Sequence, residues 1–169
     1  MNQSDFLEVI LPFKDKVFRL AKRLLVSKEE AEDATQELIF KLWKNKNKIR
    51  DYKNVEAFAM TMTKNYCYDR LKSKQAKNLT LVHSNYKENE TTLDKKLEYR
   101  DTVQQVHQLI EKLPENQKLI MQLRDIEQYS FDEICKILDM KSTAVRVALS
   151  RARKTVREAL IKKHNYGVS

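Results

Sequence analysis

Glycine occurs once in 169 residues and proline twice. So little turn chemistry argues against a sheet protein built on tight hairpins, because those turns need positive-φ residues or a pre-set proline φ. Cys67 and Cys135 are the only cysteines, and they are far apart. They read as reduced thiols of a cytoplasmic protein, not as a disulfide framework. No apolar run reaches the roughly 20 residues of a membrane span. The opening MNQSDFLEVILPFKDK has no basic leader before its short apolar run, so neither an anchor nor a secretory signal is expected. There is no glycine-rich phosphate loop and no nucleophile–base arrangement. His83, His107 and His164 are scattered, and none pairs with a cysteine at metal spacing. The expectation is a non-enzyme without metal, cofactor or small-molecule substrate.

What the chain does have is charge and helical period. Charged residues make up 34% and hydrophobic ones 41%, enough to bury a core and stay soluble. Periodic runs rich in Lys, Glu, Leu and Ala point to an all-α protein. The net charge of +9 fits a polyanionic partner, with affinity falling steeply in salt. Residues 1–75 hold 16 basic and 11 acidic side chains, and residues 101–169 hold 12 and 9, so both ends are basic.

The stretch SFDEICKILDMKSTAVRVALSRARKTVREAL, 130–160, organises the rest. Ser130 and Glu133 form a capping box, each side chain covering an orphan amide. Phe131, Ile134, Ile137 and Leu138 recur at helical spacing. Asp139-Met140-Lys141 breaks the run, and Ser142 or Thr143 can cap a second helix. That helix carries Val145, Leu149, Ala152, Val156 and Leu160 within roughly 80° of arc. Arg146, Ser150, Arg153, Lys154 and Arg157 lie opposite, with Arg151 on the flank. From Lys141 to Lys163 there are eight basic residues and one acid, Glu158. A basic helix by itself is often a solvated face. Here it follows a short helix and a three-residue turn, which is a helix-turn-helix whose second helix suits the major groove. Arg146 and Ser150, near its start, are the expected base readers. Arg153, Lys154 and Arg157 are expected on phosphates, which position without specifying.

Residues 5–25 form a first amphipathic helix, with Pro12 as a place for a bend. Phe6, Val9, Ile10, Phe13, Val17, Leu20, Ala21 and Leu24 are its buried side. Lys14, Lys16, Arg19, Lys22 and Arg23 face water or a partner. A second helix opens with Ser27 and Glu30 as another capping box. Its acids crowd the positive end of the helix dipole and its lysines the negative end. Ala31, Ala34, Leu38 and Leu42 make its core stripe. Asp33, Gln36, Phe40 and Trp43 make a second stripe roughly 170° away. An aromatic pair flanked by carboxylate and amide, opposite the core, reads as a docking face for another protein. The alternative is a helix buried on both sides.

The segment AEDATQELIFKLW, 31–43, resembles the polymerase-binding segment of bacterial extracytoplasmic-function (ECF) sigma factors, with Asp33, Gln36, Glu37, Phe40 and Trp43 matching its pattern. The helix-turn-helix, including LSRAR at 149–153, resembles the same family's C-terminal domain. The two matches stand in the right order, and the resemblance covers nearly the whole chain. It implies a sigma factor with two small helical domains, at 1–75 and 98–169. The first would bind core RNA polymerase and the −10 promoter element, the second the −35 element. It also implies an anti-sigma factor as a further partner.

Residues 49–54 read as a loop and Val55–Lys74 as a third helix with a basic tip, including Arg70. The resemblance places Asn65, Asp69 and Lys72 on promoter DNA, Lys72 standing where the family has arginine. It makes the loop a pocket for a flipped base, where Tyr52 and Asn54 supply stacking and edge hydrogen bonds. Phe58 replaces the family's common Trp and Thr61 its frequent Arg. Residues 76–97 lose periodicity and read as a flexible linker. Glu98–Leu113 is a fourth helix, with His107 at the core edge, and Leu113-Pro114-Glu115 starts another. After Leu160 the tail is expected to fray. In the recognition helix Lys141, Ala144 and Ala148 depart from the family's usual Ser, Thr and Arg, so a distinct DNA preference is expected. Lys141, Ser142, Thr143, Arg151 and Lys154 complete the expected −35 contacts. The competing reading is a stand-alone helix-turn-helix regulator, which needs no aromatic–acidic face at 33–43.

Overall fold

The computed structural model describes residues 1–80 and 98–168. Among these every regular element is a helix, with no strand. Asn2 opens the first helix, α1 (Gln3–Leu25): its Oδ1 accepts the Asp5 N–H at 2.8 Å, and Asp5 returns a contact to the Asn2 N–H. This cap starts the helix two residues before the apolar spacing predicts. The helix runs through Pro12 without a break. It ends on Val26, at φ 63°, the left-handed conformation usually given to glycine. A chain with one glycine, at 167, has none here, so a β-branched residue takes the strained position.

Helix α2 (Lys28–Lys44) packs Ala31, Ala34, Leu38 and Leu42 against α1, as the stripe predicts. Ser27 caps it by accepting the Glu30 N–H at 3.2 Å. The Glu30 carboxylate does not complete the expected box; it pairs with Arg70 and Lys74 instead. A one-turn helix, α3 (Lys46–Ile49), leads to Asn54, whose Oδ1 accepts the Ala57 N–H at 2.9 Å at the start of α4 (Val55–Thr80). The expected end of this helix was Lys74. Gln75, Ala76 and Lys77 are good helix formers, and helix persists to Thr80 although the apolar period has lapsed. The expected linker, 76–97, therefore overlaps α4 at 76–80, while 81–97 lie outside the described residues.

The second half holds α5 (Glu98–Glu111), α6 (Glu115–Met121), a π-helical segment (Gln122–Ile126), α7 (Phe131–Leu138) and α8 (Ser142–Val168). Ser130 and Glu133 form the full predicted capping box on α7, and Asp139 closes it at φ 54°. Helix α8 starts on Ser142, the first of the two predicted caps, with the Val145 N–H on the Lys141 carbonyl. It continues to Val168, correcting the expected frayed tail: no proline stops it, and Ile161-Lys162-Lys163 sustain helix. Val145, Leu149, Ala152 and Val156 are buried.

The two halves share one core. The cluster that includes Phe13, Leu20, Leu38 and Met60 extends into Leu119, Leu123, Ile134 and Leu149. A smaller cluster joins Ile110, Leu113 and Met121 to Ala152 and Val156.

Candidate functional site

The aromatic face of α2 is open. Phe40 is 51% exposed, and Asp33 and Gln36 are exposed beside it. Glu37 is half-buried. Trp43 is half-buried too: its ring meets Phe6 of α1 edge-on, with centroids 5.0 Å apart. Lysines sit over both rings, Lys44 at 4.6 Å from the Phe40 centroid and Lys46 at 4.0 Å from that of Trp43. Between α1 and α2 lies an apolar groove of about 910 Å³, lined by Leu7, Phe18, Ile39, Phe40 and Trp43 among others. Sequence reasoning gave α1 no part in this face. Leu7, exposed on the polar side and lining the groove, was the available signal.

The N-terminal candidates for DNA divide into free and engaged groups. Asn65, Asp69 and Lys72 are exposed along α4. Arg70 turns back, its Nη1 donating to the Tyr66 hydroxyl at 3.0 Å and its Nε lying 3.7 Å from Glu30. Tyr52 is 41% exposed and stacks edge-on with Phe58 at 4.8 Å. Asn54 is occupied on both sides: besides capping α4, its Nδ2 donates to Glu133 of α7 at 3.3 Å.

Lys141, just before α8, and Ser142, Thr143, Arg146, Ser150, Arg151, Arg153 and Lys154 on it are all exposed. Arg153 makes a two-pronged contact with Asp125, one prong 3.0 Å. That carboxylate raises the guanidinium's pKa and fixes the side chain. Arg146 lies over the Phe131 ring at 4.1 Å.

The link between the halves is polar as well as apolar, and the local spacing gave no sign of it. Arg19 and Arg23, expected towards water or a partner, meet the chain's own second half. Arg19 binds Glu127 through Nε at 2.8 Å and Nη2 at 2.7 Å. Gln122 donates to the same carboxylate at 3.0 Å and accepts from Arg23 Nε at 2.9 Å. Arg23 continues to His107 Nδ1 at 2.7 Å, with Glu111 at 3.8 Å. Arg23, Gln122 and Glu127 are 7%, 2% and 5% exposed, so every partner matters. Burial lowers the His107 pKa, and Arg23 lowers it further. On the other side of the interface Lys64 donates to the Ile137 carbonyl at 3.0 Å. Burial lifts the Cys67 thiol to about 12, which leaves it unreactive.

A basic helix-turn-helix fused to a helical unit with an open aromatic face defines a two-part DNA-binding protein built to dock on something larger. Comparison with known proteins makes this specific. Residues 9–77 match sigma-70 region 2, and residues 103–156 match sigma-70 region 4. The ECF RNA polymerase sigma factor SigW of Bacillus subtilis is 25% identical over 172 residues, covering 94% of this chain and 90% of its own. The RNA polymerase sigma-H factor of Pseudomonas aeruginosa is 25% identical over 162 residues, covering 90% and 84%. In fold, the chain is similar to the sigma factor RpoE in its complex with the anti-sigma factor NepR from Bartonella quintana. The TM-score is 0.74 at 19% identity, over 92% of this chain and 96% of that one. It is also similar to CnrH in complex with the cytosolic domain of CnrY, with TM-score 0.67 at 16% identity over 95% and 90%. The chain belongs to the sigma-70 family, as a promoter-recognising sigma factor of the ECF type.

Proposed function

We propose that three surfaces of this sigma factor divide its work. The α2 face of Asp33, Gln36, Glu37, Phe40 and Trp43 holds core RNA polymerase. The exposed side of α8, led by Arg146 and Ser150, reads the −35 element. The loop and helix carrying Tyr52, Asn54, Asn65, Asp69, Arg70 and Lys72 meet the −10 element. The observation that carries this reading is the exposure of Phe40 beside an apolar groove, on the stretch that matches the family's polymerase-binding pattern.

The sigma factor itself supplies binding energy, and polymerase performs the chemistry. Residues 1–75 and 98–169 act as separate grips on promoter DNA, joined through 76–97. Two grips on one tether gain avidity when the promoter spacing fits them. In the compact arrangement Asn54 is held by Glu133, so the halves part before that side chain reaches a base. We further propose that the chain works in the cytoplasm, and that an anti-sigma factor holds it there, as NepR and CnrY accompany the two structural neighbours.

Capture of purified bacterial core polymerase by the tagged full chain tests the assignment. Wild type should retain the enzyme, and Phe40→Ala should retain several-fold less while melting normally. Equal retention by both proteins removes Phe40 from the interface.

A further inference from the structure

Phe131 opens α7, and two guanidinium groups lie over its ring. Arg124 lies 4.4 Å from the ring centroid and Arg146 lies 4.1 Å from it. Arg124 is itself fixed, because its Nη1 donates to the Tyr129 carbonyl at 2.8 Å. Arg146 projects from α8 near its start and is otherwise exposed. Its Nε donates to the Ser142 hydroxyl at 3.3 Å. Phe131 and Arg146 sit at one end of a cleft of about 350 Å³ that continues along Ser150, Arg153, Lys154 and Arg157. The half-buried Phe131 is not what anchors α7, since Ile134 and Ile137 are fully buried and do that.

An arginine on an exposed helix surface ordinarily samples many rotamers, and fixing it costs side-chain entropy. A ring face under the guanidinium and a hydroxyl at Nε select one plane and one direction before any DNA arrives. With Nε occupied, the two terminal nitrogens remain to form the fork that fits the O6 and N7 acceptors of guanine.

We propose that Phe131 is a positioning residue for promoter readout: it holds Arg146 in the plane that reads one base pair of the −35 element. The proposal rests on Arg146 being a base reader. Removing the ring keeps the positive charge, so attraction to phosphates and its salt dependence persist. What falls is discrimination at that base pair.

The test uses the full chain assembled with core polymerase. A preferred −35 duplex is first obtained by selection with wild type, and every single-base-pair variant is then measured. Arg146→Ala identifies the base pair at which preference disappears. Phe131→Leu should lower the matched-to-mismatched affinity ratio there roughly ten-fold, with the same salt slope and melting midpoint. Phe131→Tyr should restore the ratio. If Phe131→Leu melts early, Phe131→Met supplies the ringless comparison. The proposal is overturned if the ringless variant discriminates as wild type does, weakens all sequences equally, or binds matched DNA more tightly because the stack was holding Arg146 away. If Arg146→Ala itself leaves every preference intact, the assignment of the reader fails with it. A chain that does not assemble with polymerase defeats the functional reading instead.

Discussion

Arg19 and Glu127, 108 positions apart, are joined by a two-pronged ion pair of 2.8 and 2.7 Å. The arginine is half exposed, while the carboxylate side chain is almost wholly buried. Glu127 follows a π-helical segment, and π-turns often mark functional places in a helix. The pair fastens the region 2 half to the region 4 half. Removing Arg19 leaves a buried carboxylate with only Gln122 to serve it. A double-mutant cycle of Arg19→Ala and Glu127→Ala, read by urea unfolding, should give a coupling of about 2 kcal/mol. A coupling near zero would mean that the pair does not hold the halves together in solution.

The interface should loosen in acid. His107 accepts the Arg23 guanidinium through Nδ1, which requires a neutral ring, and its pKa is lowered by burial and by Arg23. The groups that face it are Lys22, Arg23, Glu111 and the Arg23-bound Gln122. A base with a depressed folded pKa binds protons less readily than the unfolded chain. Its contribution is intact above the unfolded value of about 6.5 and declines as pH falls below it. The protection factors of α1 amides, which are corrected for the intrinsic pH dependence of exchange, should therefore fall between pH 7 and pH 5, and His107→Gln should flatten that dependence. Glu133 acts lower on the scale. The Ser130 N–H holds its carboxyl below the ordinary range, helped by Asn54 and the Ser130 hydroxyl. The stability it adds is present above the unfolded value of about 4.3 and fades as pH drops through the lower folded value.

Val26 is 58% exposed and holds φ at 63°, so its side chain contributes strain without much packing. Val26→Asn should raise stability by about 1 kcal/mol, because asparagine tolerates the left-handed region. Thermal melting checks this: a lower midpoint would show that Val26 packs better than its exposure indicates.

The two aromatic residues of the α2 face should separate on substitution. Phe40→Ala should change stability by less than about 0.5 kcal/mol, as a surface truncation does. Trp43→Ala removes the ring that packs on Phe6 and should cost about 2 kcal/mol. Paired melting curves decide this, and equal losses would mean that both rings serve the core.

The contrast between those residues shows where local sequence stops being informative. The stripe of Ala31, Ala34, Leu38 and Leu42 was legible because it repeats at the helical period, and so was the exposure of Phe40 opposite it. The half-burial of Trp43 was not, because Phe6 reaches over the helix edge from another element. The helix-turn-helix stood out through the Ser130–Glu133 box and the buried row from Val145 to Val156. The Arg19–Glu127–Gln122–Arg23–His107 chain did not, since a surface arginine gives no sign of which distant acid it will meet. The left-handed close of α1 was hidden too, because valine is not a residue that announces it. Family resemblance supplied what periodicity could not, namely the proposal that the face of Gln36, Phe40 and Trp43 belongs with a polymerase.

Run-off transcription tests the central claim most directly: purified core polymerase, genomic fragments, and the full chain either present or left out. The account predicts new transcripts with defined start sites only when the chain is added, and fewer when Phe40 is replaced by alanine. A folded chain that yields no such transcripts and does not co-elute with polymerase contradicts it.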